Sequence, residues 1–456
     1  MVTRRWFLGT TLIGAGSLLL AGCGGAAAAN SPAGSAAATS GATVGTLNIG
    51  QTSEPGTLDP QFLVGTPEET VVINVMDGLF STGDKLAVVP KLAESYKQLD
   101  DLTWQFRLRQ GVKFHNGEMF DATSVKASYE RSMDPNLKIR NTWASDLNVS
   151  SIEIVDPNTV NFHLKSPTPH MLARMCTNHY MYPPKWLASA STEEVARKPL
   201  GTGAYVFKEW AAGDHITLEA NPDFWGDPKP AIKTVTWRWT PENATRVANL
   251  KTGAWDLIAT LDPSSVAEVN GDAKLQALSA PGGRRVYIGF NTKLKPVDDV
   301  RVRQALNHGT DIETICRQIL GSTTTRMNSF VNTPNDSPDL HMYSYDPAKA
   351  KQLLQAAGYG SGLQLTFDVD NNLYIKGDEF PQAIVASLRD IGVNVAINKV
   401  DRNVAAQQQK DRTVHQMYLR STAPAYDPGL DFDLLRVNHA GNATQWDDPE
   451  FQNLMK

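Results

Sequence analysis

Three cysteines in 456 residues are too few for a disulfide framework, and a chain of this length buries an adequate core without one. Cys23 stands alone near the N-terminus, while Cys176 and Cys316 read as separate buried thiols, neither a bridge nor a nucleophile. No apolar run after Leu20 reaches spanning length, which predicts a globular body for everything that follows. Lys/Arg blocks are also missing, which together with the formal net charge of -5 argues against nucleic acid as the main partner.

Catalytic signatures are equally scarce. The chain has no G-x-S-x-G elbow, no H-E-x-x-H helix and no Gly-Lys dipeptide for a phosphate-binding loop. Gly358-Tyr359-Gly360-Ser361-Gly362 follows a helix pattern and precedes a strand pattern, so turn geometry accounts for its glycines. The nine histidines are scattered, and the acidic pairs Asp298-Asp299 and Asp447-Asp448 fall in polar turns. We therefore expect no catalytic residue, no metal site and no cofactor.

What is present begins at the N-terminus. Thr3-Arg4-Arg5-Trp6-Phe7-Leu8 is a paired-arginine head, followed by an apolar stretch to Leu20 and then Ala21-Gly22-Cys23. Cationic head, short apolar run and small residues before one cysteine resemble a bacterial lipoprotein signal peptide with its lipobox, which makes Cys23 the expected lipidation site. Trp6 to Ala21 is short and rich in Gly and Thr for a bilayer core of about 30 Å. The twin arginines with Phe7 and Leu8 also resemble a twin-arginine (Tat) signal, although Gly9 stands where that family often carries lysine. Function is expected on the outer face of the cytoplasmic membrane.

Residues 24–45 are almost all Gly, Ala, Ser and Thr, a composition that reads as a flexible tether of about 25 Å root-mean-square span. From Leu47 onward strand and helix signals mix. Leu102, Trp104, Phe106 and Leu108 alternate with polar residues as a half-buried strand, and Asn116-Gly117 marks a tight turn. Val71, Val72, Val75, Met76 and Leu79 recur at helical spacing. Asp121 is placed to cap a helix, Thr240 and Pro241 to open another that ends at Gly253, and Asp346 with Pro347 to open a third ending at Gly358. Leu363–Phe367, a helix over 380–389 and Val393–Ile397 form a strand-helix-strand unit. Tryptophans 104, 210, 225, 237, 239 and 255 lie on or beside strands and are expected in cores. Phe451 and Leu454 begin an apolar face with no room to develop, which reads as an incomplete C-terminus.

Several ordered phrases resemble the solute-binding proteins of peptide/nickel-type ABC importers (solute-binding protein family 5, dipeptide/oligopeptide-binding-like). They are Ser53-Glu54-Pro55-Gly56-Thr57-Leu58-Asp59-Pro60, Val89 to Tyr96, Phe106 to Glu118, Gly201-Thr202-Gly203-Ala204-Tyr205, Asn221-Pro222-Asp223-Phe224-Trp225, Phe290-Asn291-Thr292 and Asp299 to Leu306. The resemblance implies an α/β, two-lobed periplasmic-binding-protein-like fold (type II, cluster C) with an extra inserted domain. Residues 46–72 and 200–285 would form lobe I, 73–199 the inserted domain and 286–456 an incomplete lobe II.

It further implies a lipid-anchored monomer that closes on a peptide or peptide-like polar solute and delivers it to ABC permease subunits. A metal or nickel-type chelate binder is the alternative within the family, and an extracytoplasmic hydrolase is the alternative outside it. Peptide-binding relatives neutralise the ligand's amino terminus with an aspartate in a Trp-x-x-Asp-Tyr-type phrase. Here the corresponding stretch is Ser421-Thr422-Ala423-Pro424-Ala425-Tyr426-Asp427-Pro428, with Pro424 at the carboxylate's place. That departure speaks against a free-amino-terminus peptide. Glu54, Arg420, Tyr426 and Asp427 are the candidate ligand anchors.

Overall fold

A computed structural model of the chain describes residues 2–4, 44–63, 65–84, 87–137, 139, 147–279, 284–321, 324, 326–327, 329–331, 340, 342–370, 376–422, 431–432, 434–437, 439 and 442–455. Cys23, the tether up to residue 43, Pro424, Tyr426 and Asp427 lie outside the described residues.

Three larger sheets organise the chain. The first has seven strands in the order Leu275–Ala277, Val2–Arg4, Leu257–Ile258, Val44–Gln51, Ile232–Trp239, His215–Ala220 and Tyr205–Ala211. Val44–Gln51 runs parallel to both neighbours, placing Leu47 beside Val235 and Ile49 beside Trp237. Alternation in His215–Ala220 turns Ile216 and Leu218 into the core. Val2–Arg4 lies within the expected signal peptide and pairs antiparallel on both sides.

The second sheet is antiparallel and all β: Ala93–Asp100, Thr103–Leu108, Thr159–Leu164, Val149–Asp156. Trp104, Phe106 and Leu108 face inward as the alternation predicts, and Phe106 meets Phe162 edge-on at 5.1 Å. Both edge strands carry register irregularities, which blunt their unpaired backbone against further strand addition.

The third sheet orders Arg285–Phe290, Met417–Thr422, Leu363–Asp370 and Val393–Val400. Leu363–Asp370 is parallel to Val393–Val400, with helix Glu379–Arg389 as the crossover, which is the predicted strand-helix-strand unit. Ile384 and Leu388 of that helix pack on Leu365, Phe367 and Val393.

Three helices start at an aspartate whose side chain accepts from a backbone N–H, two of them at the predicted Asp121 and Asp346. Asp121 accepts from Thr123 and Ser124, Asp299 from Arg301, and Asp346 from Lys349 at the start of Pro347–Ala356. Two expectations need correction. The helix expected from Pro241 starts at Asn243, because the Thr240 amide donates to Gln51 O and extends the sheet, while its hydroxyl donates to Glu242. Thr66–Val75 stops before Met76, whose backbone is extended, so Leu79 is buried without being helical.

Burial divides the molecule unevenly. Apolar residues from Leu58 to Trp237, spanning the first two sheets, form one continuous core. Those from Val297 to Leu419 form another around the third sheet.

Candidate functional site

The family-like phrases converge on two buried carboxylates. Asp59 accepts from Arg131 Nη2 at 2.6 Å and Tyr182 Oη at 2.5 Å, and Arg131 also donates to Gln61. Asp77 pairs with Lys91 Nζ at 2.6 Å and accepts from Thr202 Oγ1 at 2.8 Å and Trp225 Nε1 at 3.0 Å. Each carboxylate has enough donors to offset its lost hydration. Gly201 and Gly203 let this region pack on the helix end: a Cβ on Gly201 would lie 2.3 Å from Val75 O, and one on Gly203 2.5 Å from Asn74 O. These phrases therefore fasten the second sheet to the first.

Ligands of open α/β sheets bind outside the carboxyl ends of the parallel strands. In the first sheet those ends are Gln51, Trp239 and Ile258; in the third they are Asp370, Val400 and Thr422. Arg246, 4% exposed, braces the first rim by donating to Thr240 O, Pro241 O and Thr260 O. Thr260 has φ +60°, a conformation unusual for a β-branched residue, and directs the chain into Asp262.

The two rims meet at a charge pair. Lys376, just beyond Leu363–Asp370, lies 3.5 Å from Asp262 Oδ2 and 3.4 Å from Glu379 Oε1. Burial pushes the Asp262 carboxyl upward, but hydrogen bonds from Ser264 and the charge of Lys376 hold it below its ordinary value. The charge of Asp262 is the main cause that raises Lys376.

Glu54 and Arg420 occupy different surroundings. Glu54 follows Val44–Gln51, and its Oε1 accepts from Trp210 Nε1 at 2.8 Å while both oxygens accept from Gly213 N at 3.2 Å. Arg197 stacks on the same Trp210 ring at 4.0 Å. Arg420 is 5% exposed; its Nη1 donates to Asp370 Oδ1 at 2.6 Å and its Nη2 to Ala405 O at 3.2 Å. The structure does not bring these two residues together. Asp262, Lys376 and Asp370 carry no spacing signal, since their partners come from distant segments.

At the start of strand Arg285–Phe290, buried Arg285 pairs with buried Asp431, donates to Phe330 O at 2.6 Å and lies over the Phe330 ring at 5.3 Å. Arg284 donates to Ser421 Oγ at 3.0 Å. Cys176 and Cys316 are free thiols, but each is only partly buried and not enclosed as expected. Among the described residues no helix is long and apolar enough to cross a membrane, and no group of three or more His, Cys, Asp or Glu is placed to hold a metal.

Residues 87–443 match the bacterial extracellular solute-binding proteins, family 5, middle region. The chain belongs to this family. It is 31% identical over 376 residues to the glutathione-binding protein GsiB of Salmonella paratyphi A, covering 79% of this chain and 72% of that one. Among solved structures, NikA from Brucella suis in complex with Fe(III)-EDTA is 26% identical with a TM-score of 0.79, covering 90% of this chain and 86% of that one. The dipeptide-binding protein from Pseudoalteromonas sp. SM9913 in complex with Met-Leu is 25% identical with a TM-score of 0.74, covering 90% and 87%. These likenesses give the family 5 chain its two-lobed fold. Family 5 proteins are extracytoplasmic binding components of ABC importers that work with permease subunits; they are not enzymes.

Proposed function

We propose that this family 5 protein captures a peptide or peptide-like small polar solute between its two lobes and hands it to an ABC permease as a monomer. The observation that carries this reading is that segments following the strand carboxyl ends of the first and third sheets meet at Asp262 and Lys376. Such a cleft gains closing free energy from any solute that touches both sides, in proportion to its preference for the closed state. The relatives supply the chemical class: one is named for glutathione and another holds Met-Leu.

Glu54, Arg420, Tyr426 and Asp427 remain the proposed anchors, with distinct modes. Glu54 and Arg420 would shape the cleft through Trp210 and Asp370, whereas Tyr426 and Asp427 follow the strand that ends at Thr422. Pro424 argues for a solute without a free amino terminus. Titration with a dipeptide and tripeptide set, each with and without N-acetylation, tests this: binding should survive acetylation, and tight binding lost on acetylation contradicts it. A metal chelate is the second reading, favoured by the likeness to NikA. Binding of a chelated metal with no response to any peptide would replace the first reading with this one.

Export through the twin-arginine head and acylation at Cys23 would keep this binder beside its permease, with residues 24–45 as tether. Cys23→Ala should release the protein from membranes. If the variant is still acylated and membrane-bound, the proposed attachment is wrong.

A further inference from the structure

Among the described residues the two larger hydrophobic cores share no residue, and neither smaller cluster spans both, so no common apolar core joins the lobe around the third sheet to the body built on the first two. Their relative position then depends on the crossover segments and on polar contacts across the cleft. Asp262 and Lys376 make such a contact from opposite rims, 3.5 Å apart, each about one-quarter exposed.

The backbone on each side is built to present them. Asp262 follows left-handed Thr260, its amide donates to Asn243 Oδ1, and its Oδ1 accepts from Ser264 N and Oγ. Its Oδ2 is thereby left to face Lys376. Lys376 itself has φ +57° and opens the turn into helix Glu379–Arg389, where Glu379 helps hold the ammonium in place.

We infer that the Asp262–Lys376 ion pair is a latch that biases the solute-free protein toward a closed cleft. It acts before any solute arrives, and its role does not depend on which solute is bound. An ion pair of this exposure shifts the ratio of closed to open molecules by about two- to fivefold, enough to tune solute entry without locking the lobes.

Asp262→Asn keeps the Oδ1 cap on Ser264 and removes only the charge facing Lys376, while Lys376→Gln removes the other partner. The test is electron–electron resonance between spin labels on Lys208→Cys and Lys351→Cys, with the native cysteines replaced, on solute-free protein in low salt. Each single variant should raise the open-to-closed ratio about two- to fivefold, and the double variant no further than either single. Salt at 0.5 M should open the parent protein similarly and leave the variants unchanged. Distance distributions that match the parent in both single variants, or effects that add in the double, overturn the latch. Weakened solute binding with unchanged distances also overturns it, and would make the two residues solute contacts instead.

Discussion

Asp59 and Arg131 are 72 residues apart and meet in a 2.6 Å ion pair, with the carboxylate 1% and the guanidinium 9% exposed. The pair links the loop after Val44–Gln51 to helix Ala122–Ser132 of the antiparallel-sheet region. Asp59→Ala would strand a largely buried cation beside Tyr182 and should cost about 3–5 kcal/mol. Urea denaturation measures this, and a loss under about 1 kcal/mol would show that the pair does not fasten these regions.

Gly203 tests the close approach of the same regions. Gly203→Ala drives a Cβ into the backbone at Asn74 and Val75, which cannot yield as a flexible side chain would. A loss of about 1–3 kcal/mol is expected, with Gly45→Ala, where no atom lies within 4 Å of the added carbon, as the neutral control.

Burial, reinforced by Arg174, lowers the His179 pKa to about 3, and Tyr129 Oη lies 3.0 Å from its Nδ1. The unfolded chain takes up this proton near pH 6.5 and the folded chain only near pH 3, so the unfolded state binds more protons between them. The stabilisation is complete above pH 6.5 and is lost as pH falls, by about 1.4 kcal/mol per unit. His179→Gln should remove this part of the slope in denaturation series from pH 7 to 4. An unchanged slope would show that His179 does not carry it.

Desolvation raises the Cys176 thiol to about 11 and also raises Cys316. In a Cys23→Ala background, neither should react readily with a disulfide reagent at pH 7.5, and both should react once unfolded. Rapid labelling of the native protein would contradict the desolvation that raises these partly buried thiols.

Much of the fold was legible because it is local. Asp121 and Asp346 declare helix starts through a side chain that accepts from the adjoining turn, and the 102–108 alternation declares a strand with one buried face. Thr240-Pro241 misled because a long-range bond from the Thr240 amide to Gln51 outweighed the local start signal. The family-like phrases were recognisable as phrases, yet their work at Asp59 and Asp77 is done by partners from remote segments. The rims were least legible. Asp262 and Lys376 each sit in an ordinary polar turn, and only the folded chain places one against the other.

The most direct test of solute capture is native mass spectrometry of protein purified without refolding. A retained, dissociable mass of peptide-like composition is the predicted result. A retained metal complex, or a protein that carries no small molecule and takes up none from a peptide mixture, would contradict it.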